Sequence, residues 1–281
     1  MKLAISNIAW TPDEREDVYD AMAEAEVTGL EVAPGLFFHA AEDPFLPPPD
    51  VAHVALAEIE DRGLALVSMQ SLLFGVSGAG LFDGAEARAN LTRGMERAIA
   101  LAGRFGIPNL VFGSPGQRRV PEELPMQQAL EQAVGVFRSF GVAAQKAGTK
   151  IAIEANPSAY GTNFLNTLNE AVDFVAMVDH PAVVTILDLG AMHMNNDFAT
   201  TAPRIPALLP KLNHVHVSEP NLAPAPHDAA ALSPVLDALR NGAYDKSVSI
   251  EMKRPFEGVA GVRLALARLV MAARTTDINN G

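Results

Sequence analysis

Eight times along the chain a short apolar run precedes a stretch whose apolar residues recur at helical spacing, and this alternation limits the folds open to the sequence more than any other feature. Strands are read over residues 2–8, 29–33, 64–69, 109–113, 150–154, 183–188, 212–219 and 247–251. Helices are read over 13–26, 49–61, 85–105, 126–146, 165–177, 203–209, 233–240 and 261–273. A strand followed by a helix and then another strand makes a parallel crossover. Eight such units in 281 residues, near the ~250 typical of the class, predict a (β/α)8 TIM barrel. A doubly wound open sheet is the runner-up. It is disfavoured because the first β-to-α turn lacks G-x-G-x-x-G and no Walker motif occurs.

With 49% hydrophobic residues, the chain can bury one large core or two small ones. No charge run, Ser/Gly-rich linker or low-complexity tract divides it, so a single domain over 1–281 is expected; the proline-rich stretch 43–49 reads as a loop. There is no cysteine, which removes disulfides, thiolate metal sites and a cysteine nucleophile together. The first residues enter a strand without a basic, then apolar, leader, and no apolar run reaches the ~18 residues of a membrane span. A soluble, cytoplasmic protein is expected. The formal charge of −12 lowers the prospect of nucleic-acid binding, which depends on Lys and Arg displacing counterions.

The seventh strand carries the richest chemistry. Side chains alternate across a strand, so His214, His216 and Ser218 share one face while Val215 and Val217 share the other. In a barrel, strand C-terminal ends form the mouth where active sites lie. Strand five ends in Glu154, strand six in Asp188 and strand eight in Glu251. The alternation Ser247, Ser249, Glu251, Lys253 turns Glu251 inward as well. Three clustered carboxylates would raise one another's pKa unless a cation joined them. A sulfur-free set of Glu154, Asp188, His216 and Glu251 suits Mn²⁺, Mg²⁺ or Co²⁺ better than structural zinc, with Mn²⁺ the first choice.

At these residues the sequence resembles the xylose isomerase-like TIM-barrel superfamily, in its sugar phosphate isomerase/epimerase and ketose 3-epimerase-like branch. The resemblance covers nearly the whole chain, with its specific motifs after residue 150. Glu154 in Ile153-Glu154-Ala155-Asn156-Pro157 and Asp188 in Leu187-Asp188-Leu189-Gly190 match the family's strand-five and strand-six acids. His216 and Glu219 match the end of a His-x-His-x-x-Glu motif, and Glu251 matches the strand-eight glutamate. The resemblance implies one metal ion on Glu154, Asp188, His216 and Glu251, with the two glutamates as acid and base. Two positions depart. Many ketose epimerases have a histidine three residues after the strand-six aspartate, where this chain has Ala191 and the nearest candidate is His193. An arginine expected after Glu219 is replaced by Asn221 and Leu222.

The expected activity is that of a metal-dependent isomerase or ketose 3-epimerase. The cation spreads the charge of an enediolate, one glutamate removes a proton beside the carbonyl, and the other returns it. Dehydration of a keto-sugar or inosose on the same site is the alternative. An endonuclease IV-like nuclease would need extra histidines after strands three and four, which this chain does not have, and a non-catalytic sugar-binding subunit is the remaining class. Substrate contacts are assigned to His193, His214, Glu219, His227, Lys253 and Trp10. His214 taken alone is read first as a satisfied core histidine or one supporting the ligands. Phe37 and Phe38 could join Trp10 in an apolar wall, the loop 114–119 could hold an anion, and Arg254 is read as a solvated charge. The expected partner is a sugar or keto-sugar, with no nucleic acid and no membrane; a homodimer is left open.

Overall fold

The computed structural model describes residues 1–274. Eight strands form a closed parallel barrel in chain order: β1 Lys2–Ser6, β2 Gly29–Val32, β3 Ala65–Met69, β4 Asn109–Phe112, β5 Lys150–Ile153, β6 Val183–Asp188, β7 Leu212–Ser218 and β8 Ser247–Glu251. Ten α-helices lie between and after them: α1 Arg15–Glu24, α2 Pro34–Phe37, α3 Pro49–Glu60, α4 Gly84–Phe105, α5 Met126–Ala147, α6 Leu168–Val178, α7 Leu189–Met194, α8 Thr201–Leu208, α9 Ala229–Asn241 and α10 Val259–Arg274. The eight-unit reading therefore holds, and the differences lie at element ends and in two short helices, α2 and α7, outside the expected ones.

Those differences have local causes. Strand β1 stops at Ser6 because Asn7–Ala9 turns into a 3₁₀ segment. Helix α7 begins directly after β6, where no helix is expected, because the Asp188 carboxylate accepts from the Ala191 amide and caps it. Helix α9 starts four residues before the expected Ser233. The Ser233-Pro234 pair imitates an N-cap followed by proline, yet Asp228 is the cap. The Ser233 hydroxyl instead donates to the carbonyls of Ala229 and Ala272, each at 3.1 Å.

The chain divides into two compact units, Ser68–Leu187 and the remainder. In Ser68–Leu187, strands β4, β5 and β6 pair in register, Val111 with Ala152 and Ala152 with Val184. These residues and Ile186 form a buried cluster. Phe137 of α5 packs edge-on against Phe112, Phe140 and Phe174 at 4.9–5.6 Å between ring centroids, an arrangement that favours the ring quadrupoles.

In the other unit, β2, β1, β8 and β7 lie side by side. One face presents Leu3, Ile5, Leu30, Val215, Val217, Val248 and Ile250, all apolar. The opposite face presents Ala4, Ser6, Glu31, His214, His216, Ser218, Ser249 and Glu251. Residues of period two thus sort into an oily side and a side of small and polar groups. The small ones leave room for two imidazoles.

Candidate active site

His216 sits opposite Ser249 in the β7–β8 register and is fully buried. Its Nε2 lies 3.0 Å from Glu31 Oε1, and Nε2 of His214 lies 2.7 Å from Glu31 Oε2. Glu31 is itself fully buried on β2. Burial opposes its charge, but the adjoining imidazoles of His216 and His214 hold its carboxyl well below the usual range. An ionised Glu31 can only accept, so His216 donates its Nε2–H to Glu31 and turns Nδ1 away from it. A carboxylate behind a ligating imidazole fixes ring orientation and tautomer in this way.

That nitrogen faces two acids. His216 Nδ1 is 3.2 Å from Glu251 Oε2 and 3.6 Å from Asp188 Oδ2. Asp188, His216 and Glu251 each offer a donor atom within 4.8 Å of the other two. Asp188 is held firmly, since its second oxygen caps α7 while Oδ2 accepts from Ser218 Oγ at 3.1 Å. Ser218 Oγ in turn accepts from the Gly190 amide at 2.8 Å. A side chain at position 190 would bring its Cβ to 3.0 Å from Ser218 Oγ and from the Glu219 carbonyl, so glycine permits this approach. An imidazole nitrogen and two carboxylate oxygens this close repel one another unless a proton or a cation lies between them. Two hard oxygens and an imidazole suit a divalent ion of the manganese, magnesium or cobalt type, so the residues fit such an ion.

Three further candidates meet in the same unit. His193, Glu219 and His227 line a cavity of about 240 Å³ together with Ser218, Leu189 and Phe198. His193 stacks on Phe198 at 3.8 Å between centroids and lies 4.0 Å from Glu219. The other Glu219 oxygen accepts from the His227 amide at 2.9 Å. The remaining candidates lie elsewhere. His214 is fully buried against Glu31. Lys253 is exposed beyond β8, its amide bound to the Leu222 carbonyl. Trp10 is buried edge-on against Tyr19 of α1, and Phe37 and Phe38 pack on each other. Arg254 is not a free solvated charge: it forms a forked ion pair with Glu14 at 2.6 and 2.8 Å.

Glu154 belongs to Ser68–Leu187, one residue beyond β5 and largely buried. Its Oε2 accepts from Asn156 Nδ2 at 2.8 Å. A Cβ on Gly113 would come within 2.4 Å of that oxygen, so the glycine after β4 makes room for the carboxylate. Sequence reasoning assigns no role to Glu31, Ser218 or Asn156. Glu31 carries a signal, a charge between Leu30 and Val32 in a four-residue strand. The roles of Ser218 and Asn156 carry none, because they are set by how the surrounding backbone turns.

Residues 19–269 match the family model described as xylose isomerase-like TIM barrel. The chain belongs to this family. No curated protein sequence matches it. Among solved structures of the xylose isomerase-like fold, it is similar to the apo 3-keto-D-glucoside 4-epimerase of E. coli, with a TM-score of 0.74 at 20% identity, covering 95% of this chain and 98% of that one. An L-ribulose 3-epimerase gives 0.74 at 19% identity over 100% and 99%. A D-psicose 3-epimerase of Clostridium cellulolyticum H10, solved with D-tagatose, gives 0.72 at 17% over 98% and 96%. At such identities the likeness speaks for the fold.

Proposed function

We propose that the chain is a divalent-metal-dependent sugar isomerase or ketose epimerase, with Glu154, Asp188, His216 and Glu251 holding the ion. The observation that carries this reading is His216 Nδ1 lying 3.2 Å from Glu251 and 3.6 Å from Asp188, with Glu31 behind the ring at Nε2. Glu154 completes the set in the proposal because β5 to β8 are consecutive in the barrel, and each of these strands would deliver one donor from its C-terminal end. Structural neighbours that are sugar epimerases support the same class. When bound, a divalent ion supplies Lewis acidity to a carbonyl and its neighbouring oxygen.

The chain's own residues do the rest. In this reading Glu154 and Glu251 stand on opposite faces of the sugar, one taking the proton from the carbon beside the carbonyl and the other returning it, which inverts the centre. Glu31 keeps His216 in one tautomer, and Ser218 with the Ala191 amide keeps Asp188 oriented. His193, Glu219 and His227 offer hydroxyl-binding groups in their cavity. Mn²⁺ and a cytoplasmic location go with this proposal.

The test is solvent exchange. Protein loaded with Mn²⁺ and incubated with a panel of ketoses in D₂O is expected to place deuterium beside the carbonyl, and chelation to stop it. Glu154→Gln and Glu251→Gln are each expected to slow exchange by about 10²–10⁴-fold, the usual worth of a positioned proton carrier. Net loss of water would identify a dehydratase instead. Exchange that survives both chelation and these substitutions would refute the proposal.

A further inference from the structure

The loop after β4 buries an arginine that nothing in the described protein satisfies. Arg118 has no exposed surface, and none of its Nε, Nη1 and Nη2 has a hydrogen-bond partner among the described residues. Buried guanidinium groups otherwise pair with acids, because five donors and a charge are taken out of water together. Here desolvation pulls the group down to about 10, while the charge of Glu154 acts in the opposite sense. Arg118 therefore lies within electrostatic range of Glu154 without forming an ion pair with it.

The backbone keeps it there. The Gln117 carbonyl accepts from the Leu81 amide at 2.7 Å. On the other side, Val120 exchanges two hydrogen bonds with the Asn163 side chain, at 2.7 and 2.9 Å. Residues on both sides of Arg118 are thus pinned, and the side chain cannot leave by a simple loop swing. A second group beside Glu154 is also unsatisfied: Asn156 donates its Nδ2 to Glu154, yet its buried Oδ1 has no donor among the described residues. A held-in cation and a lone acceptor, both near one proposed proton carrier, match a ligand bearing an oxyanion and a hydroxyl.

We infer that Arg118 is a specificity residue that receives an oxyanion of the substrate, so that the preferred sugar is acidic, a phosphate ester or a keto-sugar acid, with Asn156 Oδ1 accepting a hydroxyl. A planar guanidinium offers parallel donors to either kind of oxyanion. This inference rests on the reading that Glu154 works on the sugar.

Calorimetric titration of the Mn²⁺-loaded protein tests it with three probes: D-fructose, D-fructose 6-phosphate and D-tagaturonate. One of the two acidic sugars is expected to bind about thirtyfold or more tightly than D-fructose, and which one distinguishes phosphate from carboxylate. Arg118→Gln should bring that ratio near one, since a buried charged contact of this kind is worth at least this factor. Arg118→Lys, which keeps the charge without the fork, should fall between. Equal binding of all three probes by the unaltered protein overturns the inference whether or not the variants fold, as does a preference that survives Arg118→Gln. The two readings fail separately. Deuterium exchange on neutral ketoses as fast as on acidic ones sinks the role of Arg118 alone; an Arg118-dependent preference without exchange sinks the proposed chemistry alone.

Discussion

The β7–β8 side and the β4–β5 side of the barrel treat buried charge in opposite ways. Around β7, each carboxylate has company: Glu31 between two imidazoles, Asp188 on Ser218 and the α7 cap, Glu251 against His216 Nδ1. After β4 and β5, a guanidinium and a carboxamide oxygen are buried with nothing to bind among the described residues. The first arrangement is braced by the protein's own groups before any ligand arrives and is suited to holding an ion in fixed geometry. The second remains costly until a ligand completes it, and such groups select strongly for what satisfies them.

The comparison breaks most visibly at Glu31. Glu31→Gln removes the charge between His214 and His216, and breaking a buried pair by removing one partner costs about 3 kcal/mol or more. Urea unfolding should show that loss, and Mn²⁺ titration should show a further drop in affinity of about 10–100-fold from the lost support of His216. A variant with unchanged stability and metal affinity would mean that the β7 side is not preorganised by this carboxylate.

Glu31 also marks where the sequence stops being readable. The barrel and the alternation on β7 are legible, because period-two sorting and strand-helix alternation are local properties. The ends of β6 and β8 are legible for the same reason, so Asp188, His216 and Glu251 follow from strand alternation and position. Glu31 is in plain view between Leu30 and Val32, but its partners lie 183 and 185 positions away in sequence, at His214 and His216. The pairing of Arg254 with Glu14 is longer still, and a charge beyond a strand end gives no hint of it. Arg118 stands in a loop whose composition suggests an anion site, yet only three-dimensional packing makes it buried and unpartnered.

On the β4–β5 side the sharper probe is Gly113→Ala. The added methyl meets Glu154 Oε2 most closely, the tip of a movable side chain, so the fold should tolerate it with little change in melting temperature. The carboxylate must move by about an ångström, a displacement that can cost on the order of 10²-fold in rate. Deuterium exchange slowed to that degree in a protein of normal stability is the expected result. The matching change on the other side, Gly190→Ala, meets the Glu219 carbonyl and Ser218 Oγ at 3.0 Å, atoms held by backbone and hydrogen bonds. There the cost should appear as stability, about 1 kcal/mol, measured by denaturant unfolding. If both glycines behaved alike, the contrast between a movable and a fixed neighbour would fail.

The smallest expected effect concerns a partly exposed pair that tells paired surface charge from buried charge. Hydrogen bonding from Arg254, then from the Thr11 amide, lowers the Glu14 carboxyl from 4.5 to about 2. A carboxylate whose folded-state value is depressed stabilises the protein fully above its unfolded value, here 4.5, and that contribution is lost as pH falls toward about 2. Solvent screening limits it to about 0.5–1 kcal/mol. Glutamine keeps the reciprocal cap with Thr11 while removing the charge, so Glu14→Gln isolates the ion pair. Combined with Arg254→Met in a double-mutant cycle, it should give a coupling of that size at about pH 7 that shrinks steadily as the carboxyl is protonated between about pH 4.5 and 2. A coupling that held constant over this acid range would show that the contact is packing of the Arg254 stem rather than charge.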